Sequence, residues 1–355
     1  MIYSLFPSRD ATIYENLNAV NTGIDEILEI TKIVSSSNLP GVFNTRILID
    51  FDTTELQSDI AADRISNDAK YFLKLFNSSQ EQIPNNYILS AAPISNSWDM
   101  GIGKSTYTPY VKEGVSWIYR DGITVGTEWD TPGCTTVTES GYVVTQSFNN
   151  DTYDVNMDVT TIINSFFTEG ALNYQNNGIL IQRSGSQETD AKRYGSLKYF
   201  SKETHTIYPP RLEVKWDDSS FTTGSLTALT KDEIGVFITN LQSEYNENSR
   251  ARIKILGREL YPSKTYATTA NAITPDYLPS SSYYSIIDVA TNETIVPFDT
   301  SYTKISCNSS GNYFDFWMNS LLPERMYQVK VRVDNRQHFG EQEYFTCKNL
   351  FKVVR

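Results

Sequence analysis

The chain has 355 residues, with 30 Lys+Arg against 42 Asp+Glu, two His and a formal net charge of −12. At roughly 100–200 residues per domain this length predicts two domains, and a hydrophobic fraction of 39% with 13% aromatics excludes a disordered chain. No stretch approaches the roughly 20 apolar residues of a membrane helix, and the acidic balance, without a Lys/Arg stripe, excludes a general nucleic-acid binder.

In chain order, the first alternating segment is 44–52, where Ile47, Ile49 and Phe51 share one face and Arg46, Leu48 and Asp50 the other, a strand pattern. Between Asp59 and Phe76 the apolar positions Ile60, Ala61, Ile65, Ala69, Phe72, Leu73 and Phe76 fit a helix loosely, and Tyr71–Phe76 reads equally as a strand. Alternation returns at Tyr142–Phe148 and at Val155, Met157 and Val159. Ile162, Ile163, Phe166 and Phe167 then fall at i, i+1, i+4 and i+5, which predicts a short helix with Thr160 or Thr161 as N-cap and Gly170 near its end. Further strands are expected at Gly178–Ile181, Leu197–Phe200, Leu212–Trp216, Ala251–Ile255 and Tyr327–Val333. Many short strands between Gly, Asn, Ser and Pro turns mean an all-β sandwich or jelly roll and not a parallel α/β sheet.

Pro209-Pro210 enters the last strand of the first half, and Asp217–Ser225 reads as a polar linker, so the expected domains are 1–217 and 218–355. The second is long enough for one Ig-like β-sandwich with an elaborated loop at Thr265–Ser285, or for two small β subdomains. Charge divides at the same place: residues 1–217 hold 27 acids and 16 bases, residues 218–355 hold 15 and 14. The near-neutral second half opposes association with acidic neighbours less, which favours it as the main docking surface.

Cys134, Cys307 and Cys347 lack any C-x-x-C spacing, which removes zinc and redox-motif readings. Their odd number suits a reducing compartment. The N-terminus lacks a signal-peptide pattern, so synthesis in a cytoplasm without cleavage is the expectation, and the sequons at Asn77, Asn150, Asn292 and Asn308 read as accidents of composition.

Several segments, taken in order, resemble the DNRLRE-type domain, a β jelly roll related in shape to carbohydrate-binding modules. They are Ser8–Tyr14, Asn21-Thr22-Gly23, Arg46–Asp52, Ser97–Gly101 with Gly114–Trp117, Met157–Thr160 with the short helix, Asn173-Tyr174 with Gly178–Ile181, and Pro210–Val214. The eponymous hexapeptide is absent, so the resemblance rests on motif order across residues 8–216. A wider likeness, carried by Gly114–Arg120, Phe200–Tyr208, Trp216–Thr227, Gly257–Pro262, Pro297–Asp299 and Gly311–Phe314, is to structural proteins of tailed bacteriophages that join such a domain to a C-terminal β domain. What the resemblance implies is a virion component of collar, tail or capsid, with other virion proteins and further copies of itself as the expected partners; the rival readings are a host-surface adhesin that binds glycan through its jelly roll and, behind it, a polysaccharide depolymerase.

Candidate chemistry is sparse. A nucleophilic triad needs a base, and His205 and His338 both lie outside any Gly-x-Ser-x-Gly elbow. Gly101-Ile-Gly103-Lys104-Ser105 lacks the first glycine of a phosphate loop and reads as a turn. Glu128 and Asp130 flank Trp129 and would share a strand face, the geometry a glycosidase pair needs, but acid pairs at this spacing are common in an acidic chain. Asp10, Asp25, Glu26, Asp50 and Asp52 are the oxygen donors a structural calcium ion would use, without a calcium-loop motif to support them. Trp98, Trp117 and Trp129 either form a sugar-stacking platform or belong to the core. The expectation is therefore no catalytic residue, no cofactor-binding residue and no metal ligand.

Overall fold

The computed structural model describes residues 1–34, 41–137, 141–149, 151–167, 175–229, 233–261, 276–334 and 341–355. In chain order its elements are β1 (Ile2–Leu5), β2 (Arg9–Tyr14), β3 (Ile27–Val34), β4 (Val42–Asp50), α1 (Thr54–Ala61), β5 (Lys70–Leu75), β6 (Asn77–Glu81), β7 (Tyr87–Pro93), β8 (Val144–Phe148), β9 (Val155–Asp158), α2 (Thr160–Phe167), β10 (Ile179–Arg183), α3 (Ser186–Thr189), β11 (Gly195–Phe200) and β12 (Arg211–Lys215). They continue with β13 (Ile234–Ile238), β14 (Glu244–Asn246), β15 (Arg250–Glu259), β16 (Ser282–Asp288), β17 (Thr294–Val296), β18 (Ser306–Asn308), β19 (Gly311–Trp317), β20 (Met326–Asp334) and β21 (Gln342–Val354). The fold is all-β, as the alternation predicts.

Two compact units form: Leu5–Arg64 with Lys70–Glu213, and Met1–Ser4 with Ile65–Ala69 and Val214–Arg355. This division falls inside β12 and not at 217/218, and Met1–Ser4 belong with the C-terminal unit. The reason is packing. Ile2 sits in that unit's core, the Tyr3 ring lies 5.7 Å from Trp317, and the Ser4 amide donates to Ser320 Oγ at 3.1 Å. The N-terminal ammonium donates to the Trp216 carbonyl and, at 2.9 Å, to Asp218.

The expected linker is not free either. Cys307 donates its amide to the Ser220 carbonyl at 2.8 Å, Thr222 returns one to Cys307 at 2.9 Å, and Lys304 reaches Asp217 at 2.9 Å. Polar composition marked this segment as a linker, but its backbone groups find partners on β18.

In the N-terminal unit a curled sheet runs β6-β11-β3-β4-β10-β7-β8, with β2 also paired to β4. The seam is β4. Its first residues pair with β3 (Asn44 opposite Lys32), and from Thr45 onward the same edge pairs with β2 (Asp50 opposite Arg9). Where β3 peels away, Thr45 Oγ1 accepts from the Thr31 amide at 2.7 Å and donates to the Glu29 carbonyl at 2.8 Å, so the split leaves these groups satisfied.

Ile47 and Ile49 are buried as expected, but so is Leu48 on the opposite face. Alternation put Leu48 on the face it shares with Arg46 and Asp50; the long β7–β8 connection covers that face and makes it a second core surface.

The segment 59–76 is not one helix: α1 ends at Ala61 and Lys70–Leu75 is a strand paired with β9. The α2 helix forms where predicted, capped by Asp158 Oδ1 accepting the Thr160 amide at 2.9 Å and not by a threonine. Thr160 Oγ1 instead accepts from the Tyr71 amide at 3.0 Å. Gly170 and Asn173-Tyr174 lie outside the described residues.

The C-terminal unit is a sandwich of β13-β15-β19-β18 and β14-β21-β20-β16-β17. Alternate residues of β15 (Ala251, Ile253, Ile255) and β20 (Tyr327, Val329, Val331, Val333) point into one core shared by both sheets, and Tyr284 stacks on Phe314 at 4.0 Å. The expected Thr265–Ser285 loop is cut short by β16, which begins at Ser282; residues 262–275 are outside the described residues.

Two outcomes follow from this packing. Ile162, Ile163 and Phe166 are buried, whereas Phe167 is partly exposed and meets Tyr71 edge-on at 6.1 Å. Phe166→Ala is expected to cost about 3–5 kcal/mol and Phe167→Ala clearly less, read from urea midpoints. Limited proteolysis is expected to spare 217–226, because cleavage there requires its hydrogen bonds to open; mass spectrometry of the first fragments checks this.

Candidate docking surface

Residues 94–143 connect β7 to β8, and among the described residues of this stretch, 94–137 and 141–143, there is no strand. Connections this long are uncommon in compact domains, and those that persist are usually functional. An irregular chain lying on a core must find partners for its buried backbone groups. Many pair within the connection itself, as Asp99 with Arg120 and Val115 with Asp99, and the side chain that answers several at once is Asn21, which is fully buried. Its Nδ2 donates to the carbonyls of Met100 at 2.8 Å and Val115 at 2.9 Å, and its Oδ1 accepts from the Gly103 amide at 2.7 Å and the Gly23 amide at 3.3 Å. All four hydrogen bonds available to the side-chain amide are used.

The close approach explains the glycines. A Cβ on Gly103 would stand 2.3 Å from the Asn21 carbonyl oxygen, and Gly101, at φ +71, would place one 2.6 Å from the Glu113 carbonyl. The Gly101–Ser105 turn is thus a seat for Asn21.

The underside of the connection packs Trp98, Val115, Trp117, Trp129 and Cys134 against Ala11, Ile13, Leu48 and Leu180. Trp98 Nε1 donates to the Asn177 carbonyl at 2.8 Å and Trp129 Nε1 to Ser116 at 3.0 Å, so neither burial leaves an indole N–H unpaired. Two arginines clamp the rings. Arg9 lies over Trp98 at 4.7 Å with Nε on Asp50 at 2.8 Å, and Arg46 lies over Trp117 at 4.8 Å with Nε on Glu188 at 2.9 Å. The tryptophans are core and clamp residues, so the sugar-stacking reading loses its platform.

Other side chains of the connection are exposed. Ile102 is 72% and Val125 70% exposed, and Tyr107, Tyr110 and Ile123 are also exposed. The Ile123 amide donates to the Lys112 carbonyl at 3.2 Å, and Thr124 Oγ1 donates to Glu113 at 2.5 Å, which ties the 119–128 turn to the segment carrying Tyr110. Apolar side chains are thus held in solvent on a braced loop, a combination typical of interaction sites.

The other candidates are not assembled into a site. His205, Glu128 and Asp130 are exposed, and His338 lies outside the described residues. Among the five acids considered for calcium, Asp10 pairs with Ile49 in the β2–β4 ladder and Asp50 with Arg9, so their side chains leave opposite faces of the sheet. Asp52 accepts from the Thr54 amide at 3.0 Å at the start of α1. No group of three or more His, Cys, Asp or Glu that could hold a metal ion occurs among the described residues.

Asp25 and Glu26 line an open cleft of about 340 Å3 with Tyr14, Glu29, Lys104 and Lys198. Its charges are paired internally, Lys104 with Glu26 at 3.3 Å and Lys198 with Glu29 at 3.2 Å. Burial holds the Asp25 carboxyl above its usual range, opposed by the hydrogen bonds of Ser105.

Asp10 is the most perturbed of these acids. Burial raises its carboxyl to about 7, opposed by the Lys202 amide at 2.7 Å, and its Oδ1 has no partner.

No protein-family model and no curated protein matches the chain. Among solved structures, the adhesin domain of Epf from Streptococcus pyogenes matches at 8% identity over 98% of both chains with a TM-score of 0.18, an overlap too small to bear on function.

Removing the Asn21 amide strands the Met100 and Val115 carbonyls and the Gly103 amide. At about 1–3 kcal/mol for each buried unsatisfied group, Asn21→Ala is expected to destabilise the N-terminal unit by roughly 3 kcal/mol or more, measured by urea denaturation.

For Asp10 the folded carboxyl binds its proton more tightly than the unfolded one, so its stabilising contribution is complete below pH 4 and is lost as pH rises toward 7. Asp10→Asn keeps the acceptor for Lys202 and is expected to flatten the fall in melting temperature between pH 5 and pH 8.

Proposed function

We propose that the chain is a non-enzymatic structural component of a bacteriophage particle, a collar, tail or capsid-decorating protein located in the virion. It acts by assembly with other virion proteins and with further copies of itself. The observation that carries the assembly half of this reading is the braced β7–β8 connection, which buries three tryptophans below and presents Ile102, Tyr107, Tyr110, Ile123 and Val125 above. The particle itself is supported by the ordered segments that resemble tailed-bacteriophage structural proteins.

Charge balance favours residues 218–355 for docking, and large apolar side chains are exposed in both units, but in the N-terminal unit five of them fall within residues 102–125 of the one β7–β8 connection. The patch on the connection pairs apolar contact area with a loop whose conformation is already fixed, so association costs little ordering entropy. Its aromatic and branched residues suit the centre of a protein interface. No helix among the described residues is long and apolar enough to cross a membrane.

Ile102→Glu with Val125→Glu, both at exposed positions, is expected to leave the melting temperature nearly unchanged and to reduce incorporation into particles at least tenfold. Glu128→Ala and His205→Ala are expected to be incorporated normally. Normal incorporation of the double variant would show that the patch does not dock, and a Glu128 or His205 variant that assembles but abolishes infection would replace the structural role with an enzymatic or receptor-binding one.

A further inference from the structure

The outer face of the β13-β15-β19-β18 sheet carries charge of the opposite sign to the chain, whose net charge is −12. Along β15, Ala251, Ile253 and Ile255 enter the core, so Arg250, Arg252 and Lys254 point outward, and all three are exposed. Arg258 follows on the same face, half-buried. Across the ladder, Trp317 lies opposite Arg250, Asp315 opposite Arg252 and Tyr313 opposite Lys254. The Arg250 guanidinium covers the Trp317 ring at 4.4 Å, that of Arg252 covers Tyr313 at 4.1 Å and that of Arg258 covers Phe237 at 5.2 Å. Asp315 accepts from Arg252 Nε at 2.8 Å and Nη2 at 2.9 Å, and from Arg250 Nη2 at 3.1 Å.

Four cations thus share one carboxylate, and Lys254 and Arg258 have no ion pair among the described residues. Because rings and Asp315 already hold the two arginines, little side-chain entropy is left to lose when an anion meets them. The rings lie under guanidinium groups, so nucleic-acid bases have no free aromatic surface on which to stack. Carboxylates on a protein surface suit the face better. Phe237, 41% exposed, stands opposite Leu256 on the same face and adds apolar area.

The β7–β8 connection has the complementary character. Asp99, Glu113, Glu128 and Asp130 are exposed on it against one exposed base, Lys112, and none of the four acids has an ion pair among the described residues. The same stretch carries the exposed apolar residues from Ile102 to Val125.

We propose that the β7–β8 connection of one copy docks on the Arg250–Arg252–Lys254 face of a second copy, so that the chain assembles head to tail. The inference rests on the reading of the connection as a docking surface and names its partner. A contact between two different surfaces leaves a free surface at each end, so it propagates until a ring closes.

Sedimentation velocity of the full chain tests this. At up to about 100 μM protein, oligomers that grow with concentration are expected in about 50 mM NaCl, with association at least tenfold weaker in about 500 mM as the charges are screened. Lys254→Glu with Arg258→Glu changes the face from three excess positive charges to one negative and leaves the Asp315 pairs in place. Ile102→Lys with Val125→Lys puts charge of the face's own sign on the opposing surface. Each double variant alone is expected to be monomeric with an unchanged melting temperature. An equimolar mixture of the two is expected to form dimers and nothing larger, since each keeps one intact surface. A parent chain that is monomeric at low salt, association that does not weaken with salt, or a mixture that stays monomeric would overturn the proposal; a monomeric chain that retains oligo(dT) would give the face to nucleic acid instead. Loss of particle incorporation in the connection variant, with a parent chain that does not self-associate, would keep the docking surface, give it another virion protein as partner, and overturn this inference alone.

Discussion

The N-terminal unit is organised by the need to satisfy backbone polar groups in a chain segment that has no ladder of its own. Residues 94–134 pack on one face of β2, β4 and β10, and a buried peptide group there costs as much as a lost hydrogen bond unless something answers it. Asn21 answers three groups of the connection, together with the amide of Gly23, through one side chain. The Asn21 amide itself donates to the Val111 carbonyl at 2.9 Å. Because the amide is planar and its four bonds have fixed directions, the loops that meet it are fixed relative to one another. The glycines at 23, 101, 103 and 114 follow from that crowding.

Once the connection is seated, the sheet beneath it has two buried faces. This is why Leu48 is core although its neighbours Arg46 and Asp50 are charged. The charged residues on that face keep only part of their surface in water, and the Arg9 and Arg46 guanidinium groups lie over Trp98 and Trp117 while their Nε atoms meet Asp50 and Glu188. A guanidinium suits this role better than an ammonium, since its plane stacks and its rim still donates. The exposed apolar residues of the connection therefore stand on a floor that is already packed, which is what gives the proposed docking surface its preorganisation.

The same unit carries two buried ionisable groups that are incompletely answered, Asp10 and Arg183. Each has orphaned polar atoms. They are resolved differently. A carboxyl can take up a proton and become neutral, and Asp10 is shifted in that direction; a guanidinium at neutral pH has no such escape, and Arg183 keeps its charge beside the Tyr87 and Tyr194 rings with Glu188 acting on it.

Much of the architecture was legible in the sequence. Period-2 alternation located β9, β11, β15 and β20, and the change of period at Ile162 located α2, because burial of one face imposes its repeat directly on the residues. Other features were decided only by tertiary structure. The alternation of β4 could not reveal that both faces are covered, since the covering segment has no periodicity to read. Asp217–Ser225 has linker composition, yet its backbone pairs with β18, and composition does not record which partner an amide will meet. Trp98, Trp117 and Trp129 looked the same on paper as core or as a binding platform, and only their burial against Leu48 and under Arg9 and Arg46 separates the two. Asn-Thr-Gly at 21–23 and the spaced glycines at 101 and 103 were visible as turns, but their meeting joins residues eighty positions apart. Local sequence fixes local periodicity and turn chemistry; which polar atoms are answered, and which are left over as at Arg183, is a property of the assembled chain.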